Sequence, residues 1–394
     1  MGCLKKKESC FQMLVKKLFS NAVFRVLNLV ASIGIAFFMT PFVIAQLGDE
    51  TYGLWILVSS IFSFYGVLDL GLSAATQRHI AQALAREDTA GANGAVVTSF
   101  VVFCGIGLIA LLITVGIAAA GGMIVKDVSL VHDFRVVVIC LGVSLALLFP
   151  SYAINGVYSA NFKLDVSSQI HLVKLLVRFL LILIFLKMKF GIISMAVITM
   201  ITDVAAGVAM IVIAGYLAPW LRWRFSAFDM RRLKEMFSFG ASFLFVTLCE
   251  RGRNALPAIA INSAAGLTNV TLFGVAQQIY EYFVQLLGNV FGVFLPLFVR
   301  RQSSAEHAEN SRDFLFLTQL ALSVSVVMAT GVIASAPEFV SAWLGSRFLD
   351  SIAPLFILVV AGVFIAGFQA INQRIILLSC KTHCKKAHAC HLNK

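Results

Sequence analysis

Ten stretches of this chain are each long and apolar enough to cross a lipid bilayer, and no other feature constrains the fold as tightly. They run at about 22–45, 53–76, 95–120, 136–159, 169–187, 191–216, 236–261, 269–299, 313–335 and 353–378. A spanning helix needs roughly 20 residues, and backbone in lipid must satisfy its own hydrogen bonds, as a helix does. The sequence is 60% hydrophobic and 13% charged, where soluble domains carry about 25% charged residues. These numbers predict an all-α polytopic membrane protein.

Charge bias orients it. With the N-terminus in the cytoplasm, the inner segments (1–20, 77–94, 160–174, 219–235, 300–313 and 374–394) carry 22 of the 31 Lys and Arg residues, and the outer connections (46–52, 121–135, 187–190, 262–268 and 336–352) carry 5. An excess of Lys and Arg on the cytoplasmic side is the rule for membrane proteins, so the basic N-terminus is expected inside. The formal charge of +12 is spread between apolar segments, which fits a membrane surface with lipid partners and argues against nucleic acid. The first apolar segment keeps running as a spanning helix does, and no cleavable leader is expected. Lys6 stands where N-myristoylation after Met1-Gly2-Cys3 wants Ser or Thr.

A weak internal repeat divides the chain. Pro41 and Pro257 are 216 residues apart, Ala153-Ile154-Asn155 and Ala370-Ile371-Asn372 are 217 apart, and the third apolar segment moved by 216 lands on the ninth. Six spans separate the equivalents, so the two halves share one membrane orientation, as in parallel-repeat transporters whose substrate site lies between the repeats. The expected organisation is a basic cytoplasmic start (1–21), a six-helix bundle (22–218), a basic cytoplasmic linker (219–235), a second bundle of about four helices (236–378) and a polar tail (379–394). By the repeat, two more helices belong where the tail stands, and a truncated or frame-shifted end is expected there.

Charges at membrane depth mark the candidate site. Glu250, Arg251 and Arg253 fall in the middle of the seventh span, where each costs about 2.5–3.5 kcal/mol on insertion scales. Such residues are tolerated when they face a wet cavity or a partner. Pro257 in the same helix leaves the carbonyl of Arg253 without its helix donor. Two readings stand for this helix. Glu250 and Arg253, three apart on one face, pair with each other, or the arginines line a polar chamber. Arg251 projects about 200° away from Arg253 around an undistorted helix. Arg25 and Arg178 complete a cationic set, and Asp69, Asp203 and Glu281 are acids in or beside spans. A cationic chamber suits a diphosphate, because guanidinium forks match phosphate oxygens in paired hydrogen bonds. The acids suit a coupling proton or sodium ion. Alternatives remain open for two of them: Arg178 and Asp203 pair between neighbouring helices, and Asp69 is only an interfacial charge. Glu281 has no basic residue within a helical turn.

The sequence holds no GxxxxGK[ST], HExxH or GxSxG pattern, so neither an ATPase nor a hydrolase is expected, and no cofactor. Cys104, Cys140 and Cys249 lie in apolar segments, where Cys behaves as a small hydrophobe. In the tail, Cys380, His383, Cys384, His388, Cys390 and His391 have spacings that match no common zinc pattern, and no metal is expected.

Leu47-Gly48-Asp49-Glu50-Thr51-Tyr52-Gly53-Leu54-Trp55, then Leu68-Asp69-Leu70-Gly71-Leu72 and Arg78-His79-Ile80-Ala81, resemble the start of the O-antigen and polysaccharide flippases. These form the polysaccharide-transport branch of the multidrug/oligosaccharidyl-lipid/polysaccharide exporter superfamily. Trp343-Leu344-Gly345-Ser346-Arg347-Phe348 resembles that family's second-half loop. The resemblance implies two six-helix bundles in the bacterial cytoplasmic (inner) membrane, where this sequence has six helices plus about four. It implies a polyprenyl-diphosphate-linked oligosaccharide, such as an O-antigen or other surface polysaccharide repeat unit, as cargo moved by alternating access. Membrane lipids and the polysaccharide polymerase machinery are the implied partners. The family's binding residues vary, so only the cavity-arginine idea carries over, onto Arg251 and Arg253. Two alternatives stand beside this reading: a cation-coupled multidrug antiporter of the same superfamily, and an inactive truncated membrane protein.

Overall fold

The computed structural model describes residues 27–161, 163–222, 230–292 and 307–364, and within them every one of the ten apolar stretches is helical apart from a break in the second. The helices are α1 Leu27–Leu47, α2 Asp49–Ser63, α3 Leu72–Ala85, α4 Thr89–Ala119, α5 Val128–Ala160, α6 Leu164–Lys187, α7 Gly191–Leu217, α8 Met230–Ala265, α9 Leu267–Gly292, α10 His307–Leu344 and α11, 352–364. Among the described residues there is no strand, and eight helical segments are long and apolar enough to cross a membrane. The charged α8 and the Gln- and Asn-bearing α9 fall outside those eight. The protein is a multi-pass, all-helical membrane protein. Arg25, the 1–21 start, residues 223–229 of the linker and the Cys/His-rich tail lie outside the described residues.

The second span is not one rod. Residues 53–76 were expected as a continuous helix; the structure stops α2 at Ser63, inserts a 3-10 segment over Phe64–Asp69, and restarts as α3 only after two left-handed residues, Leu70 (φ 51°) and Gly71 (φ 72°). Leu70 is the costly position, because a side chain disfavours that conformation. The Asp69 carboxylate offsets the cost: Oδ1 accepts from the Ser73 amide at 3.1 Å and the Ser73 hydroxyl at 2.5 Å, giving α3 an N-terminal cap. Asp69 is therefore tied into the backbone of the break, which the interfacial-charge alternative did not anticipate.

The chain forms two compact units, divided after Thr271. In the first, α3, α4, α5 and α7 bury Ile80, Val96, Ile154, Tyr158 and Met210 against one another. A second cluster joins Tyr65 of the break to Phe103 and Phe149. Lipid supplies no hydrophobic drive between helices, so close approach through small residues does the work. Gly107 of α4 is so near α5 that a Cβ there would lie 2.5 Å from the Ala146 carbonyl oxygen. Buried hydroxyls pair in the same seam, Thr76 with Ser99 at 2.7 Å and Tyr65 with Thr114 at 2.9 Å. The start of the family-like motif is explained too. Gly48 (φ 81°) turns α1 into α2, and Gly53 lets the Leu267 carbonyl sit against α2.

The helix of the seventh span, α8, packs on α2, the 3-10 segment, α3 and α4. Its last turn is held by two bonds from side chains to backbone. Lys126 Nζ donates to the Ser263 carbonyl and Asn262 Nδ2 to the Ile124 carbonyl, both at 2.8 Å. In the second unit, Ala276, Tyr280, Phe283 and Leu287 of α9 bury against Ala329 and Ala336 of α10 and Leu355 and Val359 of α11.

Candidate functional site

The interrupted span and the charged helix meet. The Arg251 guanidinium lies over Gly66, inside the 3-10 segment: a Cβ on Gly66 would stand 2.9 Å from Nε, 3.0 Å from Cζ and 3.1 Å from Nη2. Glycine thus leaves room for a guanidinium at a point where the backbone of the second span is irregular. Among the described residues Arg251 has no hydrogen bond or ion pair. Arg253 has only the Asn254 Oδ1 at 3.3 Å, and Glu250 pairs with neither arginine. The internally neutralised Glu250–Arg253 pair is not what this helix forms.

Tyr152 of α5 links this corner to a second cluster, because it lies within electrostatic reach of Asp69, Asp203 and Arg251 together. Its ring packs edge-on against Phe149 and Phe103, with centroids at 5.5 and 6.0 Å, which fixes it beside the break. Asp203 of α7 sits at the centre of the second cluster. Its Oδ1 accepts from Arg178 Nη2 at 2.5 Å and Lys174 Nζ at 3.1 Å, and its Oδ2 from the Ser144 hydroxyl at 3.1 Å. Arg178 also donates from Nε to Thr202 Oγ1 at 3.0 Å and from Nη2 to the Thr199 carbonyl at 3.3 Å.

The pairing alternative for Arg178 and Asp203 is therefore the one observed, with a partner the sequence reading missed. Lys174 falls both in the basic segment 160–174 and in the apolar stretch 169–187 of the sequence; it lies within α6, one turn before Arg178. The signal was available, since Lys174 and Arg178 at i and i+4 share a face. Counted together, the Tyr152 corner and the Asp203 cluster hold three cations (Lys174, Arg178, Arg251) and two anions (Asp69, Asp203), an excess of one positive charge. Glu281 stands in the second unit on α9, half-buried beside Tyr282, and among the described residues it has no hydrogen bond or ion pair. No group of His, Cys, Asp and Glu among the described residues could hold a metal ion.

This helical arrangement has counterparts among solved structures. It is similar to an inward-facing multidrug resistance MATE family transporter of the MOP superfamily, with a TM-score of 0.66 at 16% identity over 88% of this chain and 81% of that one. An outward-facing MATE family transporter gives a TM-score of 0.59 at 17% identity, over 89% and 82% of the two chains. The chain belongs to the polysaccharide biosynthesis protein family, whose model matches residues 43–353. Among its relatives in Bacillus subtilis (strain 168), the membrane protein EpsK is 24% identical over 336 residues, 82% of this chain and 64% of EpsK. The teichuronic acid biosynthesis protein TuaB is 26% identical over 137 residues, 34% of this chain and 28% of TuaB. The chain thus spans less than two thirds of the length of either relative.

Proposed function

We propose that the protein is a flippase that moves a polyprenyl-diphosphate-linked oligosaccharide across the bacterial cytoplasmic membrane by alternating access, with its N-terminus inside. The observation that carries this reading is the unpaired Arg251 guanidinium seated on Gly66 beside the interrupted second span. A cation costs about 2.5–3.5 kcal/mol at membrane depth, and this one is not offset by a carboxylate among the described residues. An anionic passenger offsets it, and a diphosphate offers paired acceptors to the guanidinium fork. Arg253 and, from its sequence position, Arg25 belong to the same cationic set. Arg178 and Asp203 are committed to each other and brace α6 against α7. Glu281 is the acid left to carry an exchangeable proton or sodium ion, and Asp69 serves the break first. Family and fold point to a transporter and not to an enzyme.

Arg251→Ala and Arg253→Ala in proteoliposomes, with fluorescent lipid-linked oligosaccharide as cargo, test the proposal. Each charged hydrogen bond lost is worth about 1.5–3 kcal/mol, so Arg251→Ala should slow flipping about ten- to a hundredfold while the protein stays folded. Native flipping in both variants overturns the site. Transport of organic cations without transport of the glycolipid supports the antiporter instead.

A further inference from the structure

We infer that Asp69, Arg251 and Tyr152 form one subsite that reads the junction of the glycolipid, its diphosphate together with the first sugar, an inference that rests on the flippase reading above. All three residues belong to the first unit. The 3-10 segment Phe64–Asp69 sets the geometry. Residues three apart on such a helix eclipse one another, one turn or about 6 Å apart along its axis. Gly66 and Asp69 are such a pair. The Arg251 guanidinium takes the space that a side chain at position 66 would fill, so a cation and a carboxylate stand one turn apart on the same face of the break. They form no ion pair with each other. The Ser73 cap uses Asp69 Oδ1 and leaves Oδ2 with no hydrogen-bond donor among the described residues. Tyr152 lies within electrostatic reach of both charges. Its ring is fixed by Phe149 and Phe103, and its hydroxyl has no hydrogen-bond partner among the described residues.

The chemistry of these three groups selects the occupant. A guanidinium only donates, an ionised carboxylate only accepts, and a phenol does either. Asp69 repels a simple anion, and Arg251, one turn away, repels a simple cation. A ligand that satisfies all three groups carries an anion and a hydrogen-bond donor side by side. A glycosyl phosphate has that pattern: the phosphate sits on the anomeric carbon, and the hydroxyl or acetamido N–H on the neighbouring C2 is the nearest sugar donor. Arg251 takes the phosphate oxygens in paired bonds, Asp69 Oδ2 accepts from the C2 donor, and the Tyr152 hydroxyl donates to the same phosphate. Asp69 thus has a second task besides capping α3, because the cap holds the carboxylate in place by one oxygen only.

The test measures binding to the full chain in nanodiscs with three probes: polyprenyl diphosphate carrying one sugar, the same lipid carrying the 2-deoxy sugar, and the lipid with no sugar. Asp69→Asn keeps an oxygen for the Ser73 cap and replaces the other acceptor by an amide NH2. It should bind the sugar-bearing lipid about tenfold more weakly, the loss of one charge-assisted hydrogen bond. It should bind the sugar-free lipid more tightly, because a like charge has gone. A merely structural role for Asp69 would weaken both. The native protein should prefer the sugar-bearing lipid to its 2-deoxy form by the same tenfold, and Asp69→Asn should lose that preference. Tyr152→Phe keeps the ring packing and should weaken the sugar-bearing and sugar-free lipids alike, by about tenfold. Equal affinity of the native protein for the sugar and 2-deoxy lipids overturns the inference, and that arm needs no variant to fold. Native binding of the sugar-bearing lipid by Asp69→Asn, or an equal loss of both lipids in it, overturns the inference as well, and native binding by Tyr152→Phe overturns the three-group subsite. A native protein that binds none of the three lipids sinks the flippase reading itself, whereas equal binding of all three leaves that reading standing and removes the subsite.

Discussion

Asp203 is the residue whose removal the structure penalises most clearly. It is one carboxylate holding two cations, Lys174 and Arg178, plus the Ser144 hydroxyl. Its side chain is 15% exposed, and those of Lys174 and Arg178 are 19% and 24% exposed. Deleting one member of a buried ion pair costs about 3–5 kcal/mol, mostly because the other charge is left uncompensated. Asp203→Ala strands two cations between α6 and α7. Partial exposure lets water reach them, which places the expected loss near the lower end, about 3 kcal/mol. Arg178→Met is milder, because Asp203 keeps Lys174 and Ser144; the loss is about that of one charged hydrogen bond, ~1.5–3 kcal/mol. Lys174→Met should be the mildest of the three. The double variant Asp203→Ala/Arg178→Met should lose less than the sum of the singles, since the two residues share one interaction. Reversible unfolding in mixed micelles, followed by circular dichroism, measures all four. Asp203→Ala as stable as the native protein, or Arg178→Met more damaging than Asp203→Ala, would refute the carboxylate as the hub.

Two glycines on α4 form a matched pair. Gly107→Ala forces a Cβ to 2.5 Å from the Ala146 carbonyl and should cost about 1–3 kcal/mol by overpacking. Gly105→Ala meets nothing within 4 Å and should gain about 0.5–1 kcal/mol from helix propensity; micelle unfolding midpoints check both. In the connection before α5, the Asp127 carboxylate accepts from the Ser129 amide at 2.9 Å and the Ser129 hydroxyl at 2.8 Å, and these bonds hold its pKa below the ordinary aspartate value. Because the folded pKa is depressed, the cap's contribution is present above the unfolded value. It is lost as pH falls through the folded one. Asp127→Asn should flatten that acid limb of the unfolding midpoint against pH, and an unchanged limb refutes the assignment.

The helices were legible because a bilayer imposes one length and one composition on every crossing. Residues 95–120 and 191–216 needed nothing beyond their apolar content to match Thr89–Ala119 and Gly191–Leu217. The break in the second span was not legible. Its residues, Ser63-Phe-Tyr-Gly-Val-Leu-Asp69, are apolar enough to pass as helix, and only the pair Leu70-Gly71 after an aspartate hinted at a left-handed turn with a cap. Nor could the sequence say which buried charges are paired. Arg178 and Arg251 look alike along the chain, each a guanidinium within a largely apolar span. Their partners lie 25 residues away in one case, at Asp203, and among no described carboxylate in the other. That distinction is tertiary, and periodicity carries no trace of it.

The difference between those two arginines bears directly on mechanism. A guanidinium held by a carboxylate, a threonine hydroxyl and a backbone carbonyl, as Arg178 is, has spent its donors and stiffens the bundle. A guanidinium resting on a glycine keeps its donors, and under the proposed flippase reading it exchanges water for a passenger and back again. The alternating access proposed above requires binding that is reversible, so on that reading the useful charge is the one that protein has left incompletely satisfied. Neutralising Arg251 with a carboxylate would steady the fold and abolish the site. The Asp203 cluster removes that temptation nearby, because Asp203 is already occupied by two cations and the Asp69 Oδ1 by Ser73. The anions of the first unit that Tyr152 senses are thus engaged elsewhere, which is how one positive charge stays available beside them.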